Sequence, residues 1–233
     1  GASTVAVFCI LMLHMSGSIV SLAAIIGGLL VAIFIYLLSR GNESNARMIL
    51  IGIGVQAFLN AIISYMLLKA SSYDVANALR WLSGSLNGVT MNQAIGLMSV
   101  VVVVGLILLM LSHRLSILQL GESLASILGL KVQNTKIYLV ICAVILSAVA
   151  TSVSGPIASV AFLSGPITSR LMNGNQNHMI HSGLVGAILV LMGDLIAQNF
   201  LPARYPVGVV TGLFGAPYLI FMLVKLNHKG EMG

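Results

Sequence analysis

The chain has 233 residues, of which 58% are hydrophobic and only 7% are charged. A soluble domain carries roughly 25% charged residues, so the composition excludes an ordinary soluble protein. The formal net charge of +6 is better explained by Lys and Arg at membrane edges than by a nucleic-acid partner. We therefore expect a single transmembrane domain over residues 1–233, surrounded by membrane lipid.

Apolar runs recur along the whole chain. A hydrocarbon core about 30 Å thick is crossed by about 20 apolar residues in helical form. The sequence thus predicts an all-α, polytopic transmembrane helical bundle with about eight spans. The predicted spans are residues 3–15, 18–39, 47–69, 93–112, 137–154, 156–172, 183–200 and 207–226.

Basic residues predict the orientation of these spans. Cytoplasmic loops carry an excess of Lys and Arg. If the 40–47 loop is cytoplasmic, alternation places 113–136, 173–182 and the C-terminus on the same side. The inside set is then Arg40, Arg47, Arg114, Lys131, Lys136, Arg170, Lys225 and Lys229, against Lys69, Arg80 and Arg204 outside.

Residues 113–136 form a polar stretch between two apolar runs, in a loop predicted to be cytoplasmic. Gly121 suits an N-cap, Glu122 the positive start of a helix, and Gly129 the C′ position. Two interpretations remain open: a helix that lies passively in the headgroup region, or one that a soluble motor protein pushes. Four apolar residues follow one face of this short helix: Leu120, Leu124, Ile127 and Leu128.

Glycine and proline occur at several positions in the later predicted spans. The segments Ser154-Gly155-Pro156 and Gly215-Ala216-Pro217 are expected to interrupt helices at membrane depth, which is tolerated where backbone is buried or lines a cavity. Small residues at helical spacing indicate close helix packing, with a pore-facing helix as the alternative. These residues are Gly208, Gly212 and Gly215, together with the pairs Gly183–Ala187 and Gly193–Ala197.

No catalytic chemistry is indicated. The chain contains no GxxxxGK[ST] phosphate-binding loop and no nucleophile–base set. Cys9 and Cys142 lie in apolar runs without metal-ligand spacing. We expect neither an enzyme nor a cofactor or metal site. Asp194 is the one acidic residue in a predicted span; its position near the outer end fits a structural role or one in docking or gating.

Five segments together resemble a known family. The chain is similar to the permease subunits of bacterial type II ABC importers, which take up iron–siderophores, haem and vitamin B12. The matching segments, in order, are RMILIGIG (47–54), WLSGSL (81–86), LQLGESLASILGL (118–130), SGPIASVAFLSGPITSRL (154–171) and YPVGVVTGLFGAPYLIFML (205–223).

The resemblance implies a fold of ten transmembrane helices in the bacterial cytoplasmic membrane. This chain would supply helices three to ten, with the first two missing. The implied partners are a second permease subunit, identical or different, two cytoplasmic ATPase subunits and an extracytoplasmic substrate-binding protein. ATP hydrolysis would occur in the ATPase partner. The function expected from the resemblance is import of iron–siderophore complexes, or of vitamin B12 or haem.

The resemblance also implies three groups of site residues. The ATPase-coupling residues are Leu118, Leu120, Gly121, Glu122, Leu124, Ala125, Leu128 and Gly129. The pathway and helix-break residues are Gly155, Pro156, Gly165, Pro166, Gly208, Gly212, Gly215 and Pro217. The residues for docking of the binding protein are Arg204, Asp194 and Arg80.

Two positions depart from the family pattern. Gly165-Pro166 stands where many relatives carry Pro-His, so no histidine role transfers. Gln198 stands where relatives often have an Arg, for which Arg204 could substitute. A secondary transporter or channel remains the alternative class, but it would need several ionisable residues within the membrane. A membrane scaffold without transport activity is disfavoured by the helix breaks and the polar stretch.

Overall fold

Helices form all the regular secondary structure in the described part of the chain. The computed structural model describes residues 1–13, 17–39, 45–157, 159–172, 179–200 and 205–230. Within these ranges the helices are α1 (Ala2–Leu13), α2 (Ser18–Ser39), α3 (Asn45–Lys69), α4 (Ser72–Leu82), α5 (Met91–Gln119), α6 (Glu122–Ile127), α7 (Val132–Ser154), α8 (Val160–Leu171), α9 (Met179–Asn199) and α10 (Val207–Gly230).

Five described helices, α2, α3, α5, α7 and α9, are long and apolar enough to cross a membrane. Helix α1 and the Val207–Tyr218 part of α10 are shorter apolar helices. The predicted all-α, multi-span fold class is confirmed. The predicted span at 156–172 is not: α8 has 12 residues and is about 18 Å long, too short to cross a core about 30 Å thick alone.

Helix α5 is longer than the prediction. Its 29 residues measure about 44 Å along the axis, well over the thickness of the hydrocarbon core. The first third of the polar stretch, including His113 and Arg114, therefore continues α5 instead of forming a loop.

The N-terminus of α5 is closed by a reciprocal cap between Thr90 and Gln93. The Thr90 N–H donates to Gln93 Oε1 at 3.0 Å, and the Gln93 N–H donates to Thr90 Oγ1 at 3.4 Å.

Helix α4 was missed by the sequence prediction, which treated residues 70–92 as an outer loop. Its N-terminus is capped by Ser71, whose Oγ accepts the Asp74 N–H at 3.3 Å and donates to Asp74 Oδ2 at 2.6 Å. The Ser-x-x-Asp spacing is the signal that could have revealed it. A helix of 11 residues is too short for a search based on spanning length.

The described residues form two compact units. In the first unit, α1 packs against α2, α3 and α4. One cluster joins α1 to α3 and α4: Val7, Leu11, Ile63, Met66 and Ala78. Another joins α1 to α2: Ala6, Cys9, Val20 and Ala24, with Trp81 packed against it.

In the second unit, α8, α9 and α10 pack against one another, and glycine sets how close α9 and α10 lie. A Cβ at Gly193 would lie 2.9 Å from Thr211 Cγ2 and 3.3 Å from Val207 Cγ2. Ala197, one turn further, is fully buried. Gly183 has no described atom within 4 Å of its Cβ position, so its predicted packing role with Ala187 is not seen within this chain.

We expect Gly193→Ala to destabilise the second unit by about 1–3 kcal/mol, because its methyl group overlaps Thr211 and the helices must separate. Gly183→Ala is the matched control on the same helix: it gains helix propensity without a clash and should be neutral or stabilising by up to about 1 kcal/mol. The free energy of unfolding of each variant, measured in a titration with denaturing detergent, would test both expectations. Equal effects from the two substitutions would contradict close packing at Gly193.

Candidate functional site

The turn that leads out of α5 is closed by two backbone hydrogen bonds. The N–H of Leu120 donates to the Ile117 carbonyl at 3.2 Å, and that of Gly121 donates to the Leu118 carbonyl at 3.1 Å. Helix α6 begins only at Glu122. Leu118 therefore belongs to α5, and Leu120, which was predicted to lie on the face of the short helix, lies in the turn before it.

Gly121 starts α6 with a backbone conformation that a side chain would oppose. Its φ of 103° and ψ of 152° lie in a region open essentially to glycine alone. Its carbonyl accepts the N–H of Ala125 at 2.9 Å, which closes the first turn. Glu122 lies in that turn, where the helix dipole favours negative charge. The predicted N-cap at Gly121 is confirmed.

The other end of α6 is a complete Schellman motif. Gly129 has a φ of +81° and donates its N–H to the Ser126 carbonyl at 2.9 Å, while the Leu130 N–H reaches the Ala125 carbonyl at 3.0 Å. The predicted C′ glycine is confirmed. Six residues of helix are thus fixed at both ends by glycines that the chain cannot easily replace.

Helix α6 presents apolar side chains outward. Leu124 is 54% exposed, Ile127 80% and Leu128 63%, and Leu120 in the preceding turn is 59% exposed. Ala125 is fully buried and anchors the helix from its inner side. A cluster of exposed aliphatic residues next to a polar segment is typical of a surface that a partner covers.

The predicted break at Gly155-Pro156 is present. Helix α7 ends at Ser154, Gly155 is buried with a φ of +70°, and α8 begins after Ser159, a non-glycine residue with a φ of +69°. Left-handed backbone at a serine is strained. Left-handed backbone thus stands at the end of α7 and again at the start of α8.

The other two predicted breaks are not breaks. Pro166 lies inside α8 and Pro217 lies inside α10. A proline removes one hydrogen bond of the helix, but neighbouring groups in a membrane bundle can compensate for it. Gly165 and Pro166 are half-buried, whereas Pro217 is exposed. The prediction of interrupted helices at Gly165-Pro166 and at 215–217 was therefore wrong.

The glycines of α10 differ in their surroundings. Gly208 is buried and donates its N–H to the Gly84 carbonyl at 3.2 Å, which joins α10 to the turn after α4. Gly215 is buried where its Cβ would lie 2.7 Å from Ser159 Cβ, and it lines a 230 Å³ cavity among α8, α9 and α10. Gly212 has open space around its Cβ position.

At the end of α9, Asp194 is half-buried and has a neutral partner. The side-chain amide of Gln198 donates to Asp194 Oδ2 at 2.6 Å. The residue that departs from the family pattern thus binds the acidic residue one turn away. Arg204, the other expected partner, lies outside the described residues. Arg80 is exposed near the end of α4, beside the half-buried Trp81.

Helix α3 carries a polar stripe that the sequence analysis overlooked. Gln56, Asn60 and Ser64 recur every four residues and are all exposed, and Gly52, one step earlier, has open space at its Cβ position. Polar groups facing hydrocarbon are costly, so this face needs water or protein beside it. The spacing was visible in the sequence, but a search for charged residues does not find amides and hydroxyls.

The fold defines a class: a multi-pass helical membrane protein with a capped helix between two of its long apolar helices. Comparison with known proteins gives the family. Residues 1–225 match the FecCD transport family, and the chain belongs to it.

Similar proteins include two curated permeases and one solved structure. The ferric enterobactin transport system permease protein FepG of Escherichia coli (strain K12) is 34% identical, over 90% of this chain and 64% of that protein. The iron(3+)-hydroxamate import system permease protein FhuG of Bacillus subtilis (strain 168) is 35% identical, over 88% of this chain and 62% of that protein. The chain thus spans less than two thirds of both relatives.

The structural comparison extends over nearly the whole chain. An inward-facing structure assigned to the metal-chelate type of ABC transporter aligns with a TM-score of 0.87 at 26% identity, covering 97% of this chain and 73% of that one. The five segments that carried the sequence resemblance thus lie in a chain whose fold also matches a transporter.

We expect Gly129→Ala to loosen α6, because left-handed backbone costs a residue with a Cβ about 1–2 kcal/mol. Amide hydrogen exchange over residues 122–130 should become about tenfold faster. Gly129→Asn is the matched control, since Asn tolerates this conformation better than Ala. Equal protection in the Ala and Asn variants would contradict a cap that depends on the left-handed residue.

Proposed function

We propose that the chain is the membrane-spanning permease subunit of an ATP-binding-cassette importer that moves iron–siderophore complexes into the cytoplasm. The observation that carries the proposal is α6, a helix fixed by glycines at both ends that exposes an aliphatic surface between α5 and α7. Family membership supports transport, and the names of the two similar permeases favour an iron complex over vitamin B12 or haem.

The exposed surface of α6 is the contact for a cytoplasmic ATPase. Leu124, Ile127 and Leu128 supply apolar contact area, and the short, capped helix moves as one body when it is pushed. Helix α5 runs without interruption into the turn before α6, so displacement of α6 is passed directly to a spanning helix. ATP hydrolysis takes place in the partner, and this chain converts it into movement.

Two features support a pathway for a polar ligand. The stripe of Gln56, Asn60 and Ser64 on α3 offers neutral hydrogen-bonding groups where a lipid-facing helix would be apolar. The Gly155–Pro156 break ends α7, and the buried Gly215 lets α10 lie close to Ser159 at the start of α8. A second permease subunit, identical or different, completes the pathway by covering the polar face of α3.

We assign the docking of a substrate-binding protein to the outer ends of the helices. Arg80 is exposed on α4 and offers a cation for a carboxylate of such a partner. The carboxylate of Asp194 already accepts a hydrogen bond from the side-chain amide of Gln198. We therefore expect Asp194 to contribute to docking by fixing the position of the end of α9. Arg204 completes the proposed group.

Among the residues that the structure describes, the spans offer little for ion-driven transport. A carrier driven by protons or ions needs several ionisable groups along its path. Asp194 is the acidic residue of the predicted spans, and its carboxylate is bound to a neutral amide. Coupling to an external ATPase therefore explains the exposed surface of α6 better than ion-driven transport does.

We expect Leu124→Asp in the full-length protein to reduce transport per ATP hydrolysed by about tenfold or more, because burying an unpaired carboxylate in an apolar interface costs several kcal/mol, more than the roughly 1.4 kcal/mol that a tenfold change requires. Uptake and ATPase activity measured together in proteoliposomes would test this. Ser123→Asp is the matched control: it adds the same charge to the same helix and should change coupling far less. Unchanged coupling in the Leu124 variant would refute the ATPase contact.

Deletion of the full-length gene should abolish uptake of the transported iron complex in iron-poor medium, and its return should restore uptake only with an active ATPase. Radiolabelled hydroxamate and catecholate iron complexes, haemin and vitamin B12 would be tested in parallel. Loss confined to haemin or vitamin B12 would overturn the siderophore assignment and keep the importer. Rescue without any ATPase would overturn the importer itself.

A further inference from the structure

The backbone at the start of α8 is strained at a residue that gains nothing locally from the strain. Among the described residues, Ser159 is the one residue other than glycine with a positive φ. A left-handed conformation is unfavourable for a residue with a Cβ. An outlier of this kind needs a cause outside the residue itself.

Ser159 also leaves the usual work of its position undone. It stands at the N-cap of α8, where a serine normally has extended backbone and accepts the N–H of the second or third helical residue on its Oγ. The side chain of Ser159 makes no such cap hydrogen bond, although its carbonyl accepts the Leu163 N–H at 3.1 Å. The sequence therefore offers an ordinary capped conformation that the structure does not adopt.

Helix α10 lies directly against this strained residue. A Cβ at Gly215 would lie 2.7 Å from Ser159 Cβ and 2.9 Å from Leu163 Cδ1, so α10 reaches this position only because residue 215 has no side chain. Val160, Leu163 and Gly215 also border the 230 Å³ cavity among α8, α9 and α10. The start of α8 can therefore shift without compressing a close-packed region.

We propose that the start of α8 has two states. In the held state, which the structure shows, Ser159 is left-handed and packs against Gly215. In the released state, Ser159 takes the extended conformation of an ordinary N-cap, its Oγ accepts the Phe162 N–H, and the start of α8 moves away from α10. The purpose of this movement rests on the proposed function, because a transporter alternates between arrangements of its helices.

The two states are separated by opposing contributions of similar size. The held state has close packing of α8 on α10 but carries the strain at Ser159. The released state gains the cap and loses the contact at Gly215. Relief of the strain and formation of the cap each change the ratio of the two states by about tenfold.

Substitutions at the two residues should shift this ratio in opposite directions. Gly215→Ala places a methyl group against Ser159 and should favour the released state by about tenfold or more. Ser159→Gly removes the strain and the nearest clashing carbon, while glycine is only slightly poorer than serine as an N-cap. Added to Gly215→Ala, it should return the ratio about tenfold toward the held state.

The measurement is the distance between two spin labels in the full-length protein in lipid nanodiscs, by double electron–electron resonance. The labels are attached at Phe162→Cys on α8 and Leu213→Cys on α10, where the native side chains are 72% and 69% exposed. Mixing with an excess of unlabelled protein isolates the distance within one chain. Because no uptake is measured, failure of this proposal is distinguishable from failure of the proposed transport function.

Gly215→Ala should produce a longer distance, and the double variant should restore the shorter one. No longer distance in Gly215→Ala, or no return in the double variant, would overturn the proposal. Gly212→Ala is the matched control on α10, since its Cβ position has open space around it, and it should leave the distances unchanged.

A second measurement covers the case in which Gly215→Ala does not insert. Ser159→Gly should then lower the unfolding equilibrium constant of the full-length protein about fivefold relative to Ser159→Ala, because alanine keeps the strained Cβ and glycine does not. Ser169→Gly against Ser169→Ala, at an exposed site within α8, should show the reverse order, since glycine destabilises the interior of a helix. Equal stability of the two Ser159 variants would overturn the proposal.

Discussion

The need to give every buried peptide group a hydrogen-bond partner governs this structure. Inside hydrocarbon no water can replace a missing donor or acceptor, so the chain is helical wherever it spans. Among the described residues, the hydroxyl of Ser21 on α2 donates to the backbone carbonyl of Ser152 near the end of α7 at 2.7 Å. Pro166 and Pro217 instead remain within their helices, so a proline need not end a helix in this bundle.

Packing in this bundle reverses the pattern of a soluble core. The fully buried hydrophobic residues are mostly small, including Ala6, Ala24, Ala78, Ala125 and Ala197, while large aliphatic side chains are widely exposed along α2 and α5. Helices in lipid gain nothing by hiding leucine from an equally apolar solvent, and they associate where small residues let backbones approach. The contact of Gly193 with Thr211 is the clearest case.

The sequence allowed prediction of those parts of the structure that depend only on residues close together in the chain. Long apolar runs located the spans, and the glycines at both ends of α6 were readable because positive φ favours one residue type. Pro166 and Pro217 could not be judged, since their effect depends on neighbours from distant parts of the chain. Helix α4 and the amide stripe of α3 escaped because the search favoured span length and charge. The transported ligand is not encoded in any local pattern.

The two cysteines have a practical consequence. Cys9 and Cys142 are both buried in apolar helices, each 7% exposed, and the sequence contains no others. A water-soluble thiol reagent therefore finds no ready target on the unmodified chain. Within residues 1–233, a cysteine introduced at an exposed position can then report its own exposure to either side of the membrane with little signal from Cys9 or Cys142.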